Sequence, residues 1–466
     1  MAFPGLISDK TRSIAQFDIV SGTTEASRMT QMKVVVLGTG HVGLVTSATL
    51  AKIGHEVVGV DSDPQKIASL RKGEAPFFEP GLQDLLGEVI ENGSLKFSES
   101  AADAVPGSQV AFICVGTPGR PDGEANLLAV EQAAHDIAKH ATGDIVVVQK
   151  STVPVHTAER VQTTMTRTSS YSFRLVSNPE FLREGSAVED SLKPERILVG
   201  ADEEEAHRIV RELYSPLLND DVEYHATDLR TAELAKHACN AFLAMKISFA
   251  NALARICEAA RADVVSIADI MGSDSRIGRA FLNAGLGYGG YCFPKDVAAF
   301  RAQAERLGFD FGLLSEVMKI NAGALDAVFL KVKEAVWNLE GKRIVLFGLA
   351  FKPGTDDVRE APALYLAERL REAGAVVIGY DPQANDNAKE LMSSIEVFDD
   401  PYEAAEGAHC VVICTEWPEF SDLDLTRLKG IMTHPVIVDG RNVFDPSTME
   451  EAGFTYLPTG RPPVNL

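Results

Sequence analysis

The chain has 466 residues, 45% of them hydrophobic and 24% charged, the balance of a soluble globular protein with two or three domains. Its 44 Lys and Arg against 66 Asp and Glu leave a net charge of −22. That excludes the broad basic surface a nucleic-acid partner needs, and it means an anionic ligand must be held by local donors. No apolar run is long enough to span a bilayer, so no membrane role is expected. Six cysteines without a C-x-x-C pair or a Cys/His cluster fit a reducing cytoplasm and argue against a zinc site.

Residues 1–31 are polar and Ser/Thr-rich, without the apolar segment of a secretory signal, and are expected to be a disordered extension. Met32-Lys33 directly precedes the first strand. From there short apolar strands alternate with helical patterns. Val34–Leu37 ends at Gly38, a helix follows from Val42 to Ile53, and Glu56–Val60 ends at Asp61. The second half repeats the plan. Arg343–Phe347 ends at Gly348, a helical stretch runs to Ala373, and Val376–Gly379 leads to Asp381. Such alternation implies parallel sheets. The expected fold is α/β: two doubly wound, Rossmann-like domains joined by a long central helix. The boundaries are 32–226, 227–330 and 331–466.

The central helix is expected over Thr227–Ala262, which lacks Pro and Gly and would run about 50 Å. Its apolar residues, among them Phe242, Leu243, Phe249, Leu253 and Ile256, cover more than one stripe. Such a helix is buried between domains or in a dimer.

Gly38-Thr39-Gly40-His41-Val42-Gly43 follows a strand, opens a helix and precedes an acid, Asp61. That context turns a weak glycine pattern into a dinucleotide fingerprint, with phosphates at the helix N-terminus. Asp61 favours NAD over NADP. The second half reads Gly348-Leu349-Ala350-Phe351-Lys352, where Ala350 replaces the close-approach glycine. A diphosphate held by Lys352 suits that loop better than a second dinucleotide; a purely structural repeat is the alternative.

Asn178–Gly185 holds Glu180 and Glu184 four residues apart, on one face if the segment is helical. One of them is a candidate for handling a proton or a water; solvated acids at a helix start are the alternative. Lys236 and Asn240 share one face of the central helix. They would stabilise an oxyanion, or merely bond between helices. Cys292 lies just past Gly287-Tyr288-Gly289-Gly290 and four residues before Asp296. The glycines would let backbone approach a ligand, and Lys295 would lower the thiol pKa. Cys114, Cys410 and Cys414 sit in strand-like runs as core residues. A thiolate adds to an aldehyde and permits a second hydride loss, so a cysteine beside a dinucleotide site points to oxidation of an alcohol to an acid.

Together these segments resemble the UDP-glucose/GDP-mannose dehydrogenase family. The resemblance runs from about Met32 to the end. It is carried by GTGHVG (38–43), VGTP (115–118), KSTVP (150–154), NPEFLREG (178–185), ELAKHACNAFLA (233–244), RIG (276–278), GYGGYCFPKD (287–296), FKPGTDDVRE (351–360) and DGRN (439–442). It implies Cys292 as nucleophile, with Lys236 and Asp296 beside it. Glu180 would assist thioester hydrolysis, with Thr152 near the water. Gly38, Gly40, His41, Val42, Gly43, Asp61, Lys66, Thr117, Ser151, Glu184, Lys295 and Arg359 would contact NAD. Glu180, Phe181, Leu182, Lys236, Asn240, Asn283, Tyr288, Gly289, Phe351, Lys352 and Arg441 would contact the nucleotide sugar. Arg276 would reach the partner subunit's substrate, which implies a homodimer or higher homo-oligomer. Tyr291 departs from the family pattern, where many members carry serine. Gly185, Phe293 and Thr415-Glu416-Trp417 lean towards UDP-glucose as substrate. GDP-mannose or UDP-N-acetylhexosamine oxidation and a catalytically silent sensor are the alternatives.

Overall fold

The computed structural model describes residues 30–219 and 221–466. The extension expected over 1–31 therefore lies outside the described residues, apart from its last two.

Eight strands form the first sheet: β1 (Lys33–Leu37), β2 (Glu56–Val60), β3 (Leu95–Ser98), β4 (Val110–Ile113), β5 (Ile145–Gln149), β6 (Phe173–Ser177), β7 (Arg196–Gly200) and β8 (Glu223–Thr227). Their order is β3-β2-β1-β4-β5-β6-β7-β8. All neighbours are parallel except β6 and β7, which run antiparallel. The second sheet has β9 (Arg343–Phe347), β10 (Val376–Tyr380), β11 (Glu396–Val397), β12 (Cys410–Ile413), β13 (Val436–Asp439) and β14 (Thr455–Pro458). Its order is β11-β10-β9-β12-β13-β14, parallel throughout.

The first six strands of each sheet follow one doubly wound order, so the repeated sequence plan is a repeated topology. The strands read as unbroken apolar runs because helices cover both faces. Val34–Val36 and Ile344–Phe347 are all at most 2% exposed. In each sheet the order reverses beside the first strand, and the cleft that opens there faces the other domain.

The long helix spans Leu229–Ala260. It starts later than expected because Thr227 completes β8, and the Asp228 side chain caps the first turn by accepting from Thr231 N at 2.9 Å. It stops at Arg261 in a left-handed conformation, φ 56°. Helices Phe293–Arg306 and Gly312–Val336 pack against it. These cover one face, including Lys236, His237, Asn240, Ala244 and Asn251. The expectation of all-round burial fails within one chain: Phe242, Phe249 and Ile256 are 58%, 54% and 63% exposed. They recur every seven residues and so form one outward stripe.

Candidate active site

The glycine turn after β1 is shaped by contacts that leave no room for side chains. Gly38 has φ +93°, and a Cβ there would meet Cys114 O at 2.7 Å. A Cβ on Gly43 would meet Gly38 O at 1.9 Å. Around Gly40 nothing lies within 4 Å, so that glycine faces open space into which a phosphate fits. Asp61 closes the turn at the end of β2. Its Oδ2 accepts from Thr39 N (3.0 Å), Thr39 Oγ1 (2.8 Å) and Lys66 Nζ (3.0 Å). Burial alone would raise its pKa, but these bonds outweigh it and hold the carboxyl below its usual value. His41 pairs with Glu79 at 2.9 Å and stacks on Phe77.

The equivalent turn after β9 is already filled. Asp381 Oδ2 accepts from Leu349 N, Ala350 N and Trp417 Nε1 at 2.7, 2.9 and 3.1 Å. Thr415 Oγ1 donates to Ala350 O at 2.5 Å. The Ala350 N–H, at the position Gly40 holds in the first turn, is thus engaged by the protein itself.

Between the two domains lies a cleft of about 1080 Å³. Gly40, His41, Val42, Thr117, Ser151 and Thr152 line it from the first domain, together with Glu180, Phe181, Leu182 and Glu184. Phe351, Lys352, Arg359 and Arg441 come from the second. Lys236, Asn240, Asn283, Tyr288, Gly289, Cys292 and Lys295 come from the central part. Gly38, Gly43, Asp61 and Lys66 are not among the residues that line it. Arg276 is not brought to the cleft: its side chain is 87% exposed and pairs with Asp274.

Cys292 caps helix Phe293–Arg306 at its N-terminal end, which places Lys295 and Asp296 on the first turn. Asp296 is 1% exposed. It accepts from Asn240 Nδ2 at 2.6 Å and from Lys295 Nζ at 2.5 Å. Asn240 therefore spends one amide hydrogen on Asp296 instead of keeping both for an oxyanion. Burial would raise the Asp296 pKa, but Lys295, His237 and Lys236 bring it below its usual value. Lys236 Nζ lies 3.0 Å from Glu180 Oε1, and burial, which would lower its pKa, is overcome by Glu180, Cys292 and Asp296.

Two expectations need correction. The Cys292 thiol is pushed up to about 12, first by burial, then by Asp296 and Glu180; Lys295 and Lys236 oppose this and lose. The glycines before it have a structural duty as well as a place on the cleft wall, where Gly287 and Gly289 lie: a Cβ on Gly289 would sit 2.2 Å from Glu360 O, and one on Gly290 would sit 2.7 Å from the Phe351 ring. They let the Cys292 loop touch the second domain. Glu180 and Glu184 do not share a helix face, since Asn178–Arg183 is extended loop. Pro179 removes a backbone donor there, and Gly185 turns the chain at φ +84°. Glu180 turns to Lys236, while Glu184 lies 3.9 Å from Arg359.

Two buried groups had no role in the sequence reading. Lys150 donates to Asn178 Oδ1 at 3.1 Å, and burial lowers its pKa. Glu79 accepts from Gly185 N and Ala187 N, both at 2.8 Å. Lys150 opened a quoted motif, which was its one signal; Glu79 stands in no motif. All six cysteines are free, and Cys114, Cys410 and Cys414 are buried core residues as expected.

A dinucleotide turn on one wall, a closed turn with a lysine on the other and a cysteine between them define a nicotinamide-dependent oxidoreductase with a covalent step. The chain belongs to the UDP-glucose/GDP-mannose dehydrogenase family. Residues 32–218 match its NAD binding domain, 230–323 its central domain and 345–446 its UDP binding domain. NAD is the cofactor of the first domain.

Among curated proteins, UDP-glucose 6-dehydrogenase TuaD of Bacillus subtilis is 43% identical over 439 residues, covering 93% of this chain and 94% of its own. UDP-glucose 6-dehydrogenase of Rhizobium meliloti is 44% identical over 436 residues, covering 92% and 100%. Among solved structures, a UDP-glucose dehydrogenase from the archaeon Pyrobaculum islandicum has a TM-score of 0.88 at 38% identity, covering 95% of this chain and 100% of that one. No helix among the described residues is long and apolar enough to cross a membrane.

Proposed function

We propose that this chain oxidises UDP-glucose to UDP-glucuronate, consuming two NAD and one water and releasing two NADH and three protons. The observation that carries the reading is the position of Cys292, which lines a cleft walled by both the NAD binding and the UDP binding domain.

NAD bound at the Gly38–Gly43 turn supplies the hydride acceptor for each oxidation. The chain's residues do the rest. Lys352 and Arg441 hold the nucleotide diphosphate end from the second domain. Lys236 donates to the oxygen on the reacting carbon, and the second amide hydrogen of Asn240 joins it. A preorganised donor of this kind is worth about 3 kcal/mol in the transition state. At the aldehyde stage the Cys292 sulfur bonds to carbon as the carbonyl double bond opens, and the thiol proton passes to that oxygen to give a thiohemiacetal. Asp296 holds Lys295 beside the thiol, and that cation opposes the rise in thiol pKa. Loss of a hydride from carbon and of the hydroxyl proton turns the thiohemiacetal into a thioester; water then adds to its carbon, the C–S bond breaks and Cys292 is regenerated. Glu180 receives the water's proton, and Thr152 lies in the same cleft.

The functional unit is at least a homodimer joined along the outward stripe of the long helix, and Arg276 reaches the substrate of the second copy. The protein works in the cytoplasm, in keeping with its six free cysteines.

Reaction stoichiometry tests the proposal. Limiting UDP-glucose should yield two NADH per sugar, together with the acid. One NADH per sugar would overturn the four-electron reading. Faster turnover of GDP-mannose or a UDP-N-acetylhexosamine would reassign the sugar; a UDP-D-ManNAc dehydrogenase of Pyrococcus horikoshii shares this fold at 28% identity and a TM-score of 0.82.

A further inference from the structure

Tyr291 stands next to Cys292 and lines the cleft, yet none of the steps above uses it. Two cations lie over its ring. The Arg359 guanidinium is 4.4 Å from the ring centroid and the Lys295 ammonium 5.2 Å. Both fall within the roughly 6 Å over which an aromatic face attracts a cation. Arg359 belongs to the second domain, and Lys295 to the first turn of the helix after Cys292. The tyrosine also approaches the first domain: a Cβ on Gly116, in the turn after β4, would stand 3.5 Å from its hydroxyl oxygen. One side chain thus spans the cleft between all three parts of the chain.

The backbone fixes that placement. Gly289 and Gly290 leave no room for a Cβ against Glu360 O and the Phe351 ring, so the loop is seated on the second domain beside Arg359. On the other side Ser151 Oγ donates to Val115 O at 2.6 Å and pins the turn after β4. Tyr291 bridges two anchored walls.

The ring and the carboxylates treat the two cations differently. Lys295 Nζ donates to Asp296 at 2.5 Å, and Arg359 Nε and Nη2 donate to Asp357 at 2.8 and 2.6 Å. Each of those bonds consumes a hydrogen. An aromatic face draws both cations together against their mutual repulsion without consuming one. The remaining hydrogens of Lys295 Nζ and those of Arg359 Nη1 therefore stay available to an anion.

We propose that Tyr291 is a positioning residue for NAD: it gathers Lys295 and Arg359 so that both meet the phosphate of the nicotinamide nucleotide half. Chain position selects that half. Hydride passes between the nicotinamide and the carbon that Cys292 attacks, and Tyr291 is the neighbour of Cys292. A phosphate suits two gathered cations, one of them a guanidinium fork. Serine, which many family members carry here, has no ring to gather them, so the arrangement is not shared by those members.

The proposal rests on the reading that Lys295 and Arg359 meet NAD, and its test separates the two. NAD binding to the full chain is read by calorimetry, and AMP, which lacks the second phosphate, by displacement of NADH fluorescence. Tyr291→Leu should raise the dissociation constant for NAD about fivefold or more and change that for AMP less than about twofold. Tyr291→Phe keeps the ring and should restore NAD binding. Tyr291→Met gives the same comparison as leucine should that variant fail to fold. Arg359→Ala should also weaken NAD binding, and the double variant with Tyr291→Leu should lose less than the product of the two single losses. A loss from Arg359→Ala with none from Tyr291→Leu would overturn the role of Tyr291 and leave the NAD contact standing. No loss from either would overturn both. An equal loss for AMP, a double loss equal to the product, or no rescue by phenylalanine would each overturn the proposal.

Discussion

Lys236 Nζ lies 3.0 Å from Glu180 Oε1, and their side chains are only 5% and 8% exposed. The pair ties the long helix to the loop after β6, with the Phe181 ring 5.3 Å below the ammonium. Removing one partner strands a buried charge, which typically costs about 3–5 kcal/mol. Lys236→Ala should lose stability on that scale and also lose turnover. The double variant Lys236→Met with Glu180→Gln should recover most of the stability and none of the activity. Urea unfolding and NADH formation separate the two effects. Equal stability of the single and double variants would show that the pair is not coupled.

Cys292 should behave as a protonated thiol in the free enzyme, because burial and the neighbouring carboxylates push it up to about 12. Iodoacetamide should then modify it more slowly than a free cysteine at pH 8, with a rate rising about tenfold per pH unit towards pH 10. Saturating NAD should speed the reaction, since a nicotinamide cation near the sulfur favours thiolate. Peptide mass spectrometry reads the modified site. Fast, pH-independent alkylation above pH 7 would contradict the assignment.

Much of this arrangement is legible in the residue order, and the exceptions have physical reasons. The repeated strand-turn-helix plan is local, and both sheets follow it. Lys236 and Asn240 are both buried on the long helix because a spacing of four keeps them on one face. What a neighbour in sequence cannot reveal is the balance between burial and charge. Lys295 beside Cys292 suggests a lowered thiol pKa, yet burial, then Asp296 and Glu180, outweigh the pull of its ammonium. Likewise the glycines at 289 and 290 suggest a ligand, but not that Glu360 and Phe351 of the second domain also press against them. Glu79 meets Gly185 and Ala187 over a hundred residues away, through contacts that no spacing rule encodes.

Glu184 should give NAD binding a pH dependence near neutrality. Burial, then Asp357, raises its carboxyl to about 7, while His41, Arg359 and Lys352 oppose the shift. If Glu184 faces NAD, the neutral group below that value would tolerate the pyrophosphate, and the added negative charge above it would oppose binding. The dissociation constant for NAD should therefore rise between pH 6 and pH 8. For stability the sign is the same: a carboxyl raised in the folded state contributes fully below its unfolded pKa, and that contribution is lost as pH rises through about 7. Glu184→Gln should flatten both profiles. An unchanged NAD profile in the variant would assign the pH dependence elsewhere.

Lys352 should act on the nucleotide sugar and not on NAD. It lines the cleft from the second domain, and burial lowers its pKa against the pull of Glu184, Glu79 and Cys292. Lys352 forms no ion pair among the described residues and rests over the Phe351 ring, which leaves its ammonium available to an incoming diphosphate. Lys352→Ala should weaken UDP binding by about tenfold or more, the scale of one charge-assisted contact, and change NAD binding far less. Calorimetry with UDP and NAD separately gives the comparison. The reverse order would move the diphosphate site out of the second domain.

The outward stripe of the long helix should be the dimer contact. Phe242, Phe249 and Ile256 stand 58%, 54% and 63% exposed at intervals of seven, on a helix whose opposite face is already packed. Three large apolar side chains on one line are a repeated hydrophobic seam, and a second copy of the same helix satisfies it in an isologous contact. Each side chain fully buried there would contribute about 1.5–3 kcal/mol. Phe249→Glu places a charge near the middle of the stripe, on the solvent side of each monomer. It should leave the monomer folded while shifting the protein from dimer or larger to monomer in sedimentation at micromolar concentration. Arg276 then gives an independent readout. If it serves the substrate of the second copy, the monomeric variant and Arg276→Ala should lose affinity for UDP-glucose to a similar degree, and combining them should add little. A wild-type chain that sediments as a fully active monomer would refute both the contact and the shared site.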